Sequence, residues 1–253
     1  MIDLDGAVVV VTGGARGIGR ATAARLVAAG AWVWIGDIDV PAVKQAASDL
    51  GVQGDRLDVA DADSFASFLA QAEIDGPVKM LVNNAGILRS GSFLDQPLEG
   101  HAQEIGVNIM GVVNGMHHVL PGMVERGEGH VVNMASMAAK ITTPQMATYC
   151  ATKFAVAALS RAVRAEIAGT GVTISTVMPA AVNTGLVSHF NLGPAIPVLE
   201  PDEVAQAIVA TAGHGRPENP LPRWLLGIGI VEQAIPESLL DRVKRAAVDR
   251  VTT

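Results

Sequence analysis

Residues 7–30 read AVVVVTGGARGIGRATAARLVAAG, and the fold is decided here. AVVVVT (7–12) is a continuous, mostly β-branched run, the pattern of a strand buried on both faces. GRATAARLVAAG (19–30) follows with helical periodicity: Ile18, Ala21, Leu26 and the alanines face inward, and Gly30 is the stop. Between them lies TGGARGIG, with Gly13, Gly17 and Gly19. Glycine adopts backbone conformations closed to other residues and lets a ligand approach the chain closely. The helix behind it presents unpaired N–H groups and partial positive charge, which favour a pyrophosphate. The same sequence also serves as a plain strand-to-helix turn in a glycine-rich chain. The next strand, AWVWIGD (31–37), weighs against that: it ends at Asp37, 18 residues beyond Gly19. An acidic residue at that distance takes the ribose hydroxyls of a dinucleotide and repels the 2′-phosphate of NADP.

The alternation continues along the chain. PAVKQAASDL (41–50) predicts a helix with Pro41 at its first position. DRLDV (55–59) predicts a strand, ADSFASFLAQAE (62–73) a helix, and VKMLVNNAG (78–86) a strand and turn. One long helix is expected over 101–126, a strand at 129–136, a helix over 147–168, a strand at 171–179 and a helix over 201–213. Strands alternating with helices make βαβ units. The expected fold is α/β: a doubly wound parallel sheet of about seven strands with helices on both faces, in one domain over 1–253. Residues 186–200 lose periodicity and carry Gly193, Pro194 and Pro197, so they read as a long loop. With the helix behind it, this segment (186–215) is the predicted substrate cover.

Composition excludes several classes. The chain has 253 residues, 49% of them hydrophobic and 17% charged, enough for a large core without staples. A net charge of −7 argues against a nucleic-acid surface. A single cysteine cannot form an internal disulfide, which fits a reducing compartment. The N-terminus has no basic stretch before its five apolar residues, and Trp224–Val231 is too short to span a bilayer. The expectation is a cytoplasmic protein with no transmembrane segment.

YCATK (149–153) carries the only tyrosine and the only cysteine. Tyr149 and Lys153 are four apart and share a helix face, whereas Cys150 is rotated ~100° away and reads as a small buried hydrophobe. A free phenol, with pKa ~10, is a poor base at neutral pH, and a nearby ammonium favours its phenolate. Tyr149 is therefore the candidate proton-transfer group and Lys153 its electrostatic partner. Ser136 closes a strand 13 residues upstream, where a hydroxyl would hold a substrate oxygen. No metal is expected: His117 and His118 are adjacent, and His101, His130, His189 and His214 lack ligand spacing.

Taken together, the Gly-xxx-Gly-x-Gly spacing, NNAG (83–86), Ser136 and YxxxK resemble the short-chain dehydrogenase/reductase family, in its branch of about 250 residues, over residues 5 to 185. The resemblance implies a Rossmann fold and hydride transfer between a nicotinamide and an alcohol or ketone. It implies cofactor contacts from Gly13, Arg16, Gly17, Ile18, Gly19, Asp37, Asp58, Val59, Asn84, Ala85 and Gly86. Further contacts would come from Pro179, Val182 and Thr184, together with Tyr149 and Lys153. The implied catalytic set is Ser136, Tyr149, Lys153 and Asn108, with Asn108 supporting a water chain to the lysine and Asn83 steadying the sheet. A homotetramer or dimer is implied, through the helices around 101–126 and 147–168.

Two features depart from the family pattern. Pro179 is followed by Ala180 instead of glycine, and Arg16 is of a type frequent in NADP-using relatives. Asp37 argues for NAD, and that is the expected cofactor, with an NADP-dependent carbonyl or 3-oxoacyl reductase as the alternative. The apolar loop residues Leu186, Val187, Phe190, Leu192, Ile196 and Val198, with Met137 and Met146, predict an apolar substrate. A sugar-nucleotide epimerase would need a longer C-terminal part. A non-catalytic NAD sensor would have lost Tyr149, Lys153 or Ser136.

Overall fold

The computed structural model describes residues 1–185, 197–227, 235–236 and 238–240. Its centre is β1 (Val8–Thr12), whose five residues are all buried. The chain then forms α1 (Gly17–Ala28), β2 (Trp32–Asp37), α2 (Val40–Leu50), β3 (Gln53–Arg56), α3 (Ala62–Ala72) and β4 (Val78–Asn83). It continues with α4 (Leu98–Ile105), α5 (Gly111–Arg126), β5 (Gly129–Met134), α6 (Ala147–Glu166) and β6 (Val172–Pro179). The short β7 (Ala181–Val182) and β8 (Val198–Leu199) precede α7 (Pro201–His214) and β9 (Glu218–Leu221). Seven strands form one sheet in the order β3-β2-β1-β4-β5-β6-β9, and every pairing in it is parallel. The order reverses between β1 and β4, so a ligand crevice opens there, outside the carboxyl ends of the strands.

Alternation along β1 divides the core. Val8 and Val10 join the cluster of Phe65, Phe68, Met116 and Met123 on one face. Val9 and Val11 join Leu26, Val43 and Ile208 on the other. Both faces of the strand are thus covered, as its unbroken apolar run required.

Several elements differ from the sequence reading. β3 begins two residues earlier than expected, because Trp34 pairs with Gln53 and the register runs to Asp37 with Arg56. QGDR is the polar edge of the sheet, and hydrophobic periodicity does not register such a strand. Pro41 occupies the second position of α2, one step in, because Asp39 caps the helix by accepting from the Ala42 N–H at 3.2 Å. The single helix over 101–126 is instead α4, a π-helical turn at Gly106–Met110, and α5. Such one-turn insertions are frequent at functional sites, and this one contains Asn108. Within the expected loop 186–200, Val198–Leu199 pairs in parallel with Ala181–Val182; residues 186–196 lie outside the described residues. β9, which the sequence reading left unassigned, completes the sheet beside β6.

His130 on β5 is fully buried. Thr211 Oγ1 donates to the Ile208 carbonyl at 2.5 Å, so it accepts from His130 Nε2–H at 2.9 Å. Nδ1 then accepts from the Thr173 hydroxyl at 2.7 Å. Neutral imidazole satisfies both partners, and burial pushes its pKa down to about 4. The unfolded chain takes up this proton near pH 6.5 and the fold resists until about 4. Stability is complete above pH 6.5 and lost as pH falls through that window, by on the order of 3 kcal/mol. His130→Gln lacks this titration and should lose less melting temperature than wild type between pH 7 and 4.5; equal losses would refute the assignment.

Candidate active site

The glycine turn is fastened to the strand beside it. Thr12 Oγ1 accepts from the Asn84 and Ala85 N–H groups at 3.0 Å each, and Asn84 Nδ2 donates to the Thr12 and Gly13 carbonyls at 2.9 and 3.1 Å. Gly13 and Gly17 have φ of +64° and +52°, the left-handed region that disfavours residues with a β-carbon. Arg16, the residue before α1, provides no side-chain cap, leaving the first-turn N–H groups to a phosphate. Arg16 instead ion-pairs with Asp39. Asp37 closes β2 beside the turn, accepting from the Ala15 N–H at 3.2 Å and the Asp39 N–H at 3.1 Å. At the edge side, Asp58 accepts from the Ala60 N–H at 3.1 Å, and the Val59 carbonyl is held by Asn114 Nδ2 at 2.9 Å.

Ile18, Asn84, Gly86, Ser136, Tyr149, Lys153, Pro179, Val182 and Thr184 line one cleft of about 250 Å³. The β7 segment lies against the turn: a β-carbon on Gly17 would stand 3.2 Å from Thr184 Cγ2. Ala180, where the family pattern has glycine, is not among the positive-φ residues; its N–H donates to the Leu221 carbonyl at 2.7 Å. The departure therefore costs no backbone strain. The other cleft walls are mainly apolar, with Leu88, Met134, Met137, Ile141, Met146 and Leu225. Of these, only Met137 and Met146 were legible beforehand.

Tyr149 and Lys153 are 8% and 5% exposed. Lys153 Nζ donates to the Met134 carbonyl at 2.9 Å and stands 5.5 Å from the Tyr149 ring centroid. Burial pushes the phenol up to about 12, and its hydrogen bond with Ser136 only partly offsets this. Burial also takes Lys153 down to about 8. Burial is thus the largest influence on the phenol, and the Lys153 Nζ is turned to a backbone carbonyl. Ser136 Oγ accepts from the Ala138 N–H at 3.1 Å and donates to the Pro179 carbonyl at 3.4 Å.

Asn108 sits behind this cluster. Its amide brackets Ile87, accepting from that N–H and donating to that carbonyl at 2.9 Å each. It also donates to Thr152 Oγ1 at 3.1 Å, which donates to the Tyr149 carbonyl at 2.7 Å. Asn83 Nδ2 donates to Asn133 Oδ1 at 2.8 Å across the β4–β5 pair. Cys150 is buried and its Sγ accepts from the Thr143 N–H at 3.4 Å, fixing the segment before α6. Sequence reasoning missed Thr12 and Thr152, short polar residues with no spacing signature. It also missed Glu104, whose signal was available: a charge one turn before Asn108.

Among the described residues, no group of three or more His, Cys, Asp or Glu could hold a metal. No described helix is long and apolar enough to cross a membrane. His189 and most of the apolar loop residues lie outside the described residues.

Known proteins are similar to this chain in sequence and fold. The sequence profile of the family described as short chain dehydrogenase matches residues 7–194. A protein named probable oxidoreductase EphD, from Mycobacterium tuberculosis, is 33% identical over 91% of this chain and 43% of its own; the chain thus spans less than half the length of that relative. The 2,5-dichloro-2,5-cyclohexadiene-1,4-diol dehydrogenase LinX of Sphingobium indicum is 35% identical over 74% of this chain and 77% of its own. A crystal structure of a short chain dehydrogenase/reductase from Burkholderia phymatum in complex with NAD has a TM-score of 0.85. It is 27% identical and covers 92% of this chain and 95% of that one.

Proposed function

The chain belongs to the short-chain dehydrogenase family, and from that premise we propose that it is a cytoplasmic NAD(H)-dependent oxidoreductase acting on an apolar secondary alcohol or its ketone. The observation that carries this reading is the convergence of Ser136, Tyr149 and Lys153 in one mainly apolar cleft that continues to the glycine turn. The bound dinucleotide supplies or receives the hydride at its nicotinamide. Gly13, Gly17 and the open first turn of α1 would hold its phosphates, Asp37 its ribose, and Val182 and Thr184 its carboxamide. Ser136 holds the substrate oxygen, Tyr149 moves the proton at that oxygen, and Lys153 supplies positive charge behind it. Asn108 acts by keeping Ile87 and α6 in place.

NAD is favoured over NADP by two acids. A 2′-phosphate beside Asp37 would also meet Asp39; of the nearby guanidinium groups, Arg16 is already paired with Asp39 and Arg56, opposite Asp37 on β3, with Asp58. NADH should bind at least about tenfold more tightly than NADPH, a difference of ~1.4 kcal/mol. Tighter NADPH binding would overturn the cofactor choice. Hydride transfer assayed over a panel of apolar alcohols and ketones tests the activity itself, and no transfer with any of them refutes it. A homodimer or tetramer is supported by an apolar groove on α5 and α6, including Val113, Leu120, Val124 and Leu159. A stable monomer in sedimentation would count against it.

A further inference from the structure

Glu104 stands on α4, in the contact between α4 and α6, with none of its surface exposed. Its Oε1 accepts from the Arg89 N–H at 3.1 Å, and Oε2 has no hydrogen-bond partner among the described residues. No ion pair within 4 Å reaches it among the described residues, and the Arg89 guanidinium is taken by Gln103. A carboxyl buried without a close counter-charge is costly, and an apolar side chain between two helices would serve packing better. Its surroundings give a reason to keep it. Burial pushes the Glu104 carboxyl up, and the charged and titratable groups that pull it back are Arg89 from the segment after β4, His101 from its own helix, and Lys153 from α6. Tyr149, also on α6, senses it too. Asn108 follows one turn later. A β-carbon on Gly86 would stand 3.3 Å from Asn108 Oδ1 and 3.6 Å from Lys153 Nζ, so this helix face abuts the lysine end of the cleft.

We propose that Glu104 is a positioning residue for the proton-transfer pair: its buried carboxylate keeps Lys153 an ammonium at neutral pH and thereby sets the pH range in which Tyr149 exchanges its proton. The assignment rests on the functional reading of Tyr149 and Lys153 given above. Burial drives Lys153 toward its neutral form, and Glu104 is the group that pushes it back. The same negative charge adds to burial and to Cys150 in pushing the Tyr149 phenol up. Removing it shifts both equilibria in one direction, toward lower pH.

Both can be read without substrate. Selective 13C labelling of lysine ε-carbons follows Lys153, assigned by the resonance missing in Lys153→Met. Tyr149 is the only tyrosine, so tyrosinate absorbance reports it alone. In Glu104→Gln the Lys153 midpoint should fall by about one pH unit, a tenfold change in the ionisation equilibrium, and the tyrosinate midpoint should fall with it. Unchanged midpoints in a folded variant overturn the proposal. Glu104→Met serves if the amide does not fold. Wild type provides a further arm: the Lys153 curve should carry a second inflection where Glu104 titrates, and a single step refutes the coupling. Failure of hydride transfer in wild type would end the functional reading and leave these titrations unaffected.

Discussion

Tyr149→Phe should lower turnover by about 10²- to 10⁴-fold, the range removed with a general acid–base. NADH affinity should stay within about twofold of wild type, under ~0.4 kcal/mol. The substitution keeps the ring, which is almost wholly buried, and deletes only the hydroxyl that meets Ser136. Glycine turn, Asp37 and Thr184 do not touch that hydroxyl, so the dinucleotide site stays intact. The position of the phenol's equilibrium makes the expectation stringent. The protein's own groups hold it near 12, so at neutral pH the tyrosine is almost entirely protonated. Reduction of a ketone uses that form directly, whereas oxidation of an alcohol needs the phenolate and should accelerate as pH rises. The kinetic measurement is therefore made in both directions. Undiminished turnover in the phenylalanine variant would remove Tyr149 from the chemistry and leave Ser136 without an obvious proton partner.

The fold was legible where burial is two-sided or spacing is strict. AVVVVT reads as a central strand because both its faces are covered. Tyr149 and Lys153 were legible because a helix converts a separation of four into a shared face. What escaped the sequence was set by tertiary contact. Gln53–Arg56 is a strand only because β2 offers it a hydrogen-bonding edge. The π-turn around Asn108 arises where one helix must satisfy both Ile87 and Thr152. The ionisation of Tyr149 is another such case. Helix geometry places an ammonium near the phenol, but the loss of water on burial decides the direction, and burial is a property of the assembled site. Glu104 combines the two: its charge is visible in the sequence, and only the fold shows that it is buried with no ion pair among the described residues.

Gly19→Ala should abolish measurable dinucleotide binding, at least about a hundredfold loss or ~2.7 kcal/mol, and should lower stability as well. A β-carbon on Gly19 would lie 2.1 Å from the Gly13 carbonyl oxygen and 2.7 Å from Asn84 Nδ2. The first of these atoms is backbone, and the second is the group that pins that same carbonyl. No rotamer relieves the clash, so the turn or the start of α1 must move, taking with it the N–H groups that face the phosphates. Forced backbone adjustments of this kind cost of order 1–3 kcal/mol. Gly213 supplies the contrast. It lies within α7 with no atom within 4 Å of an added β-carbon, and alanine there should stabilise by about 0.5–1 kcal/mol through helix propensity. Titration of NADH fluorescence together with thermal unfolding separates the two effects. If Gly19→Ala binds NADH as wild type does, the glycine turn is a plain strand-to-helix junction and the dinucleotide must be sought elsewhere.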